Sequence, residues 1–250
     1  MRHKVTICIL LFSLFLPLTV MANETKEEPI LIETYESDVT GNGQNEVIKL
    51  NGILFSPDTK YYRDIWADVI VPEGESWKIN YGGGYDPTIQ FVDLNHDKIN
   101  DMLYQSPTGG SGGLYTSFLH TLANDKLVEI PLPEQHYVKG QFEENYTVTI
   151  ELTPNEKPIV MNVKSRAADY IRLGIYNKEG KLLTPTPLMI DPIAFFEPIK
   201  ISEGKGYGLK SYQQISGAYH ADQLGTIETL WYYENNQWII LQTKWNPTPS

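Results

Sequence analysis

The sequence predicts an all-β fold built from about four sheet-forming units. Two observations carry that expectation. Apolar and polar residues alternate at period 2 along most of the chain, which is the pattern of strands with one buried face. In addition, two segments rich in side-chain oxygen, Asp38 to Glu46 and Asp93 to Asp101, each sit between two such strand-like runs. No stretch has a sustained helical period; a short turn at Thr59 to Trp66 is the one exception expected.

The elements follow in order. Ile30–Glu36, Glu46–Phe55, Trp66–Val71 and Ser76–Tyr81 form a first group of four strands, with the first oxygen-rich segment joining the first two. Thr88–Val92, Met102–Ser106, Leu114–Leu122 and Lys126–Ile130 form a second group, with the second segment in the same place. Asp38 and Asp93 are 55 residues apart, and a four-stranded propeller blade uses about 40 to 50 residues or slightly more, so the spacing points to a propeller-like arrangement. Val138–Glu143, Tyr146–Leu152, Ile159–Val163 and Tyr170–Tyr176 read as a third group that lacks the loop. Thr184–Pro198 is proline-rich and belongs on a surface or sheet edge, because proline cannot donate to a ladder. Lys210–Ile215, Gly225–Tyr233 and Gln237–Lys244 close the chain. Glu234-Asn235-Asn236-Gln237 is a two-residue hairpin signal, since asparagine tolerates positive φ. Asn177-Lys178-Glu179-Gly180 is a similar turn.

The first 22 residues are expected to lie outside the fold. Arg2 and Lys4 precede an apolar run from Val5 to Leu16, and Val20-Met21-Ala22 supplies the small residues that signal peptidase requires. The apolar run is shorter than the roughly 20 residues needed to span a bilayer, so the segment reads as an export signal and the mature chain as one secreted domain over residues 23–250, without a membrane span. Cys8, the single cysteine, falls inside the signal, which excludes disulfides and thiol chemistry from the mature chain. Removing Arg2 and Lys4 with the signal moves the formal charge from −11 to −13. An acidic surface with no basic stripe makes nucleic acid an unsuitable partner.

Both oxygen-rich segments follow D-x-[TN]-x-[ND]-x-x-x-[DE]. The side chains of Asp38, Thr40, Asn42 and Glu46 can turn inward together, with the carbonyl of Gln44 adding an oxygen. Asp93, Asn95, Asp97 and Asp101 can do the same, with the carbonyl of Ile99. Calcium takes 6 to 8 oxygens in loose geometry, so a structural Ca2+ is the cation that these shells suit. The second segment has three carboxylates against two in the first and is expected to bind more tightly. Lys49 and Tyr104 stand where an EF-hand needs its bidentate glutamate, so these are not EF-hands.

With their apolar flanks, Ile89-Gln90-Phe91-Val92 before Asp93 and Met102-Leu103-Tyr104 after Asp101, the loops resemble FG-GAP and VCBS repeats, the calcium-loop blades of integrin-α-like β-propellers. The first copy has Ile32-Glu33-Thr34-Tyr35 before it and Val47-Ile48-Lys49-Leu50 after it. The mature chain is similar to exported VCBS-repeat proteins of Gram-positive bacteria, and the similarity covers the first two units best. It implies a propeller with structural calcium. The second loop departs from the family at His96 and Lys98, where glycine is common and where a side chain costs about 1 kcal/mol.

Other motifs carry less. Gly109-Gly110-Ser111-Gly112-Gly113 matches the nucleophile elbow G-x-S-x-G, but strand-forming residues follow it instead of a helix. Tyr81-Gly82-Gly83-Gly84-Tyr85 reads as a turn between units. His96, His120, His136 and His220 have no zinc spacing, and His120 reads as a satisfied strand residue. Tyr61, Tyr62, Trp77, Tyr81, Tyr85, Trp231 to Tyr233 and Trp238 could stack on sugar rings, although most aromatics in a β-protein pack inside. The expected function is a secreted, calcium-rigidified, non-catalytic module that binds an extracellular protein or glycan. The competing expectation is a secreted hydrolase acting on polysaccharide or cell wall, with calcium again structural.

Overall fold

The computed structural model describes residues 28–71, 76–134 and 137–249. Residues 1–22, expected to be an export signal, lie outside the described residues. Among the described residues, fifteen strands form four antiparallel sheets, each a meander in which chain neighbours pair. The first sheet contains β1 (Ile30–Ser37), β2 (Glu46–Leu54), β3 (Tyr61–Ile70) and β4 (Trp77–Tyr85). The second contains β5 (Thr88–Val92), β6 (Asp101–Pro107), β7 (Tyr115–Thr121) and β8 (Val128–Glu129). The third has β9 (Lys139–Glu143), β10 (Thr147–Glu151) and β11 (Ile159–Asn162); the fourth has β12 (Met189–Ser202), β13 (Gly206–Ser216), β14 (Gln223–Glu234) and β15 (Gln237–Pro247). The chain is all-β with four units, and none of the sheets closes into a barrel.

Three apolar cores join the sheets, and their order is informative. Ile48, Leu50, Ala67, Val69 and Tyr81 of the first sheet pack with Met102 and Tyr104 of the second. Leu103 and Leu119 of the second pack with Phe196, Leu209 and Trp231 of the fourth. Phe142, Val148 and Ile150 of the third pack with Ile215, Leu224 and Ile227 of the fourth. The cores thus run first, second, fourth, third, whereas a ring of blades in chain order would seat the third sheet on the second. The reason lies at β12. Gln105 on β6 turns its buried side-chain amide onto this edge strand, donating from Nε2 to the Phe196 carbonyl at 2.8 Å and accepting from the Phe196 N–H at 2.8 Å. That amide supplies both hydrogen bonds that a neighbouring strand would give, so the fourth sheet is fastened to the second.

Four local expectations need correction. Thr59–Trp66 is not a helical turn: β3 begins at Tyr61, because Ile65, Ala67 and Val69 alternate inward and burial on a sheet outweighs local propensity. Tyr170–Tyr176 is not a strand. Helix α1 (Ala167–Arg172) occupies its start, with Ala167 and Ala168 favouring helix and Asp169 paired to Arg172 at 3.0 Å. Tyr81–Tyr85 is not a turn either but the end of β4. Gly82 takes a φ of 82°, whereas Gly83 and Gly84 serve close approach, since a Cβ at Gly84 would lie 2.0 Å from Ser106 Oγ on β6.

The fourth correction concerns His120. It lies on β7 with its ring 5.9 Å from that of Tyr81, and its buried Nδ1 has no hydrogen-bond partner among the described residues. Burial lowers its pKa, with Glu129 opposing. A histidine with a depressed folded pKa gives stability that is present above its unfolded pKa, near 6.5, and lost as pH falls through that value and below. We expect the melting temperature to decline on acidification below about pH 6.5 and the His120→Phe variant to flatten that slope. Thermal melts between neutral and mildly acidic pH check this.

Other expectations hold. Pro192 and Pro198 lie on β12, an edge strand, as their missing N–H groups require. Asn235 and Asn236 take φ values of 53° and 59° in the β14–β15 hairpin, with Glu234 opposite Gln237. Among the described residues, no helix is long and apolar enough to cross a membrane.

Candidate functional site

The two oxygen-rich loops connect β1 to β2 and β5 to β6, the same position in the first two sheets. Their hydrogen bonds match almost residue for residue. In the first loop Glu46 accepts from the N–H groups of Val39 (2.8 Å) and Thr40 (3.3 Å). In the second, Asp101 accepts from the N–H groups of Leu94 (2.9 Å) and Asn95 (3.0 Å). Asp38 accepts from Gly43 N–H at 2.9 Å, and Asp93 from Lys98 N–H at 3.0 Å. Gln44 N–H donates to Asn42 Oδ1 at 2.7 Å, and Ile99 N–H to Asp97 Oδ1 at 2.9 Å, which fixes the residue whose carbonyl was expected to contribute. Loop positions four and six have positive φ in both copies: Gly41 at 80° and Gly43 at 84°, His96 at 67° and Lys98 at 74°. Val39 and Leu94 plug each loop into the apolar cores beneath.

The copies differ in how fully their oxygens are engaged. In the first loop Thr40 Oγ1 donates to Glu46 Oε1 at 3.0 Å and Asn42 Nδ2 donates to the same atom at 3.3 Å. Gly41 N–H donates to Asp38 Oδ1 at 2.7 Å, so every carboxylate oxygen there has a donor. In the second loop Asn95 Nδ2 bridges Asp97 Oδ2 (3.1 Å) and Asp101 Oδ1 (3.0 Å). Asp93 Oδ1 remains buried with no partner. Asp101 is fully buried, and desolvation pushes its pKa up to about 6 against the lowering effect of the Leu94 and Asn95 N–H bonds. An orphaned carboxylate oxygen and a desolvated carboxylate in one loop are both features that a hard cation would relieve. The residues able to hold one are Asp93, Asn95, Asp97 and Asp101, with Asn95 turning its oxygen inward. Asp38, Thr40, Asn42 and Glu46 form the weaker set. Among the described residues no three His, Cys, Asp or Glu side chains converge in a group that could hold a metal, so each shell would draw on amide, hydroxyl and carbonyl oxygens as well.

The loops touch one another, which the sequence did not reveal. A Cβ on Gly41 would lie 2.5 Å from Ile99 Cδ1, so glycine is required there by contact as well as by φ. Asn100 Nδ2 donates to Ser37 Oγ at 3.1 Å across the same junction. On its other side, the second loop rests on the fourth sheet. His96 stacks on Tyr232 with centroids 4.5 Å apart, and Lys205 Nζ lies 4.6 Å from the Tyr232 ring centre. The second loop therefore sits where three sheets meet.

The remaining candidates are placed plainly by the fold. Ser111 lies in the β6–β7 hairpin connection with no helix after it, so the strand–turn–helix elbow is not formed. Tyr81, Trp231 and Tyr232 are buried, while Tyr61 pairs with Tyr85 and Tyr233 with Trp238, both at 5.0 Å. His220 and Asp222, expected in a loop, lie beside a polar cluster that sequence reasoning missed. Asp222 accepts from Arg166, from Tyr170 Oη at 2.7 Å and from Ala218 N–H at 2.9 Å. Arg166 and Tyr170 lie 56 and 52 positions from Asp222, so no local signal in the sequence announced the cluster.

Residues 136–246 match a family model described as the YybI C-terminal domain. That stretch takes in the third and fourth sheets and leaves both oxygen-rich loops outside. The chain is also 23% identical over 219 residues to "Uncharacterized protein YybI" of Bacillus subtilis (strain 168), covering 84% of this chain and 82% of that protein. No solved structure matches the chain.

Proposed function

We propose that this chain is an exported, non-catalytic binding module whose first two blade-like sheets carry structural calcium in their loops. The observation that carries the reading is the second loop, which holds both a buried Asp93 Oδ1 without a partner and the fully buried Asp101. The matching hydrogen-bond frame of the first loop supports it, because two turns with the same internal bonding perform the same task more readily than two unrelated turns. Calcium would neutralise carboxylates at the junction of the first, second and fourth sheets and so hold the sheets in one arrangement. Extracellular calcium is in the millimolar range, so even a modest site fills after export. The partner-binding surfaces are then rigid faces of the sheets, and the metal acts at a distance from them.

The test is a pair of measurements on the secreted protein. Amino-terminal sequencing of material from the medium is expected to begin at Asn23. Panels of glycan, peptide and ester substrates are expected to show no turnover in calcium. Turnover that disappears with Ser111→Ala would overturn the non-catalytic reading, and retention of the full chain in the cell would overturn export.

A further inference from the structure

The chain contains the dipeptide Asn-Gly twice, at Asn42-Gly43 and Asn51-Gly52, and the fold treats the two in opposite ways. A glycine after asparagine has no Cβ to shield its backbone nitrogen, which can then close on the side-chain amide carbon if the local structure allows. Asn51-Gly52 is locked. It lies on β2, an inner strand of the first sheet, where Gly52 stands opposite Ile30 of β1 and Ile65 of β3. Gly52 is buried, and a Cβ there would lie 2.6 Å from Tyr62 Cδ1. Asn51 Nδ2 donates to Asp68 Oδ2 at 2.9 Å and to the Lys49 carbonyl at 3.0 Å, so side chain and backbone are both held.

Asn42 and Gly43 are exposed at the tip of the first loop. Gly43 has a φ of 84°, and apart from its chain neighbours no described residue comes within 4 Å of where a Cβ would stand. Two hydrogen bonds favour attack by its nitrogen. The Gln44 N–H donates to Asn42 Oδ1 at 2.7 Å and draws electron density from the amide carbon, while the Gly43 N–H already points at Asp38 Oδ2, 2.9 Å away. The Asn42 amide nitrogen is held by one long bond, 3.3 Å to Glu46 Oε1.

We infer that Asn42 is a site of spontaneous deamidation. The Gly43 nitrogen forms a bond to Asn42 Cγ as its proton passes to the facing Asp38 carboxylate; the bond from Cγ to Nδ2 then breaks, and that nitrogen takes up a proton and leaves as ammonia. Water opens the cyclic imide at one carbonyl or the other and leaves an aspartate or an isoaspartate, with one more negative charge in either case. The aspartate form gives the first loop a carboxylate at the position that Asp97 holds in the second, and so the same three-carboxylate set. The isoaspartate form lengthens the backbone by a methylene and breaks the match between the loops. What the product does to metal binding rests on the calcium reading above, whereas the reaction itself does not. Calcium in the first loop would engage Asp38 and Asn42 and hold the reaction back.

Peptide mapping by mass spectrometry tests this on the secreted protein kept warm at neutral pH, with chelator and with calcium. In chelator Asn42 is expected to convert at least about tenfold faster than Asn51, which must wait for the sheet to open. In denaturant the two rates should converge, because the dipeptide is the same. Asn42→Gln, whose longer side chain closes a ring far more slowly, should suppress the acidic species that isoelectric focusing resolves in aged parent protein. No mass change at Asn42 in chelator, or equal conversion of Asn42 and Asn51 in the folded protein, would overturn the inference. Calcium is expected to slow conversion at Asn42; an equal rate with and without it would count against metal in the first loop and leave the modification standing.

Discussion

Adding a chelator to the folded protein should lower its melting temperature by about 5–10 °C, the largest effect that follows from the paired loops. A ligand present at 100 times its Kd stabilises by about 2.7 kcal/mol, and in a chain of this length 1 kcal/mol corresponds to about 2–4 °C. Asp93→Ala removes the orphaned oxygen and should abolish most of the chelator response. In the second loop Asp93 binds the Lys98 N–H and the interlocked neighbours are undisturbed, so the fold survives. Glu46→Gln in the first loop should reduce the response by less, because every carboxylate oxygen there already has a donor from the chain itself. Ile99→Ala provides a control of another kind. It leaves the backbone carbonyl in place but loosens the contact with Gly41, so a response shared between the loops should weaken although no side-chain ligand has been lost. Differential scanning calorimetry with and without chelator on these variants gives the comparison.

The second large effect is expected at Asp222. This carboxylate is 5% exposed and tied to Arg166, Tyr170 and the Ala218 N–H, and Arg166 also donates from Nη2 to the Gln223 carbonyl at 2.8 Å. The cluster fixes α1 and the turn before it to the β13–β14 connection, over the core shared by the third and fourth sheets. The hydroxyl of Tyr170 has its pKa raised by burial and by Asp222, so it stays a donor at any working pH. Asp222→Ala leaves a guanidinium that is three-quarters buried without its carboxylate, and breaking such a pair costs on the order of 3 kcal/mol. A fall in melting temperature of about 6–12 °C should follow. Arg166→Met removes the charge together with its hydrogen bonds and is expected to cost less than Asp222→Ala, since the carboxylate it leaves keeps the Tyr170 and Ala218 donors. Equal losses from the two variants would show that the charge is not what matters there.

How much of this was legible in the sequence differs by kind of interaction. Period-2 alternation located the strands of the first sheet because Ile48, Leu50, Ile65, Ala67 and Val69 are buried and alternate with more exposed residues, whereas β6 in the second sheet is buried on both faces. The Asn235-Asn236 turn and the edge position of Pro192 and Pro198 were readable for a similar reason, since each rests on a backbone restriction of the residue itself. Residues 170–176 misled because Tyr170, Ile171 and Tyr176 look like strand residues, while the packing of Tyr170 and Tyr176 on Phe142 comes from a helix and the turn after it. The third and fourth sheets could not be placed relative to the second from sequence. Gln105 and Phe196 are 91 residues apart, and nothing in either neighbourhood announces the other. For the candidate site, the spacing of oxygen-bearing residues located both loops, whose internal hydrogen bonds run between the residues it singled out. Their interlocking did not show, because Gly41 reads equally well as a glycine needed for positive φ and the partner it makes room for, Ile99, lies in the other loop.

Direct titration of the metal-stripped protein with calcium by isothermal calorimetry speaks to the central claim. Saturable binding is expected, with the tighter phase removed by Asp93→Ala and a weaker phase removed by Glu46→Gln. A flat titration of the folded protein at millimolar calcium, or binding that persists unchanged when Asp93, Asp97 and Asp101 are all replaced, would contradict it.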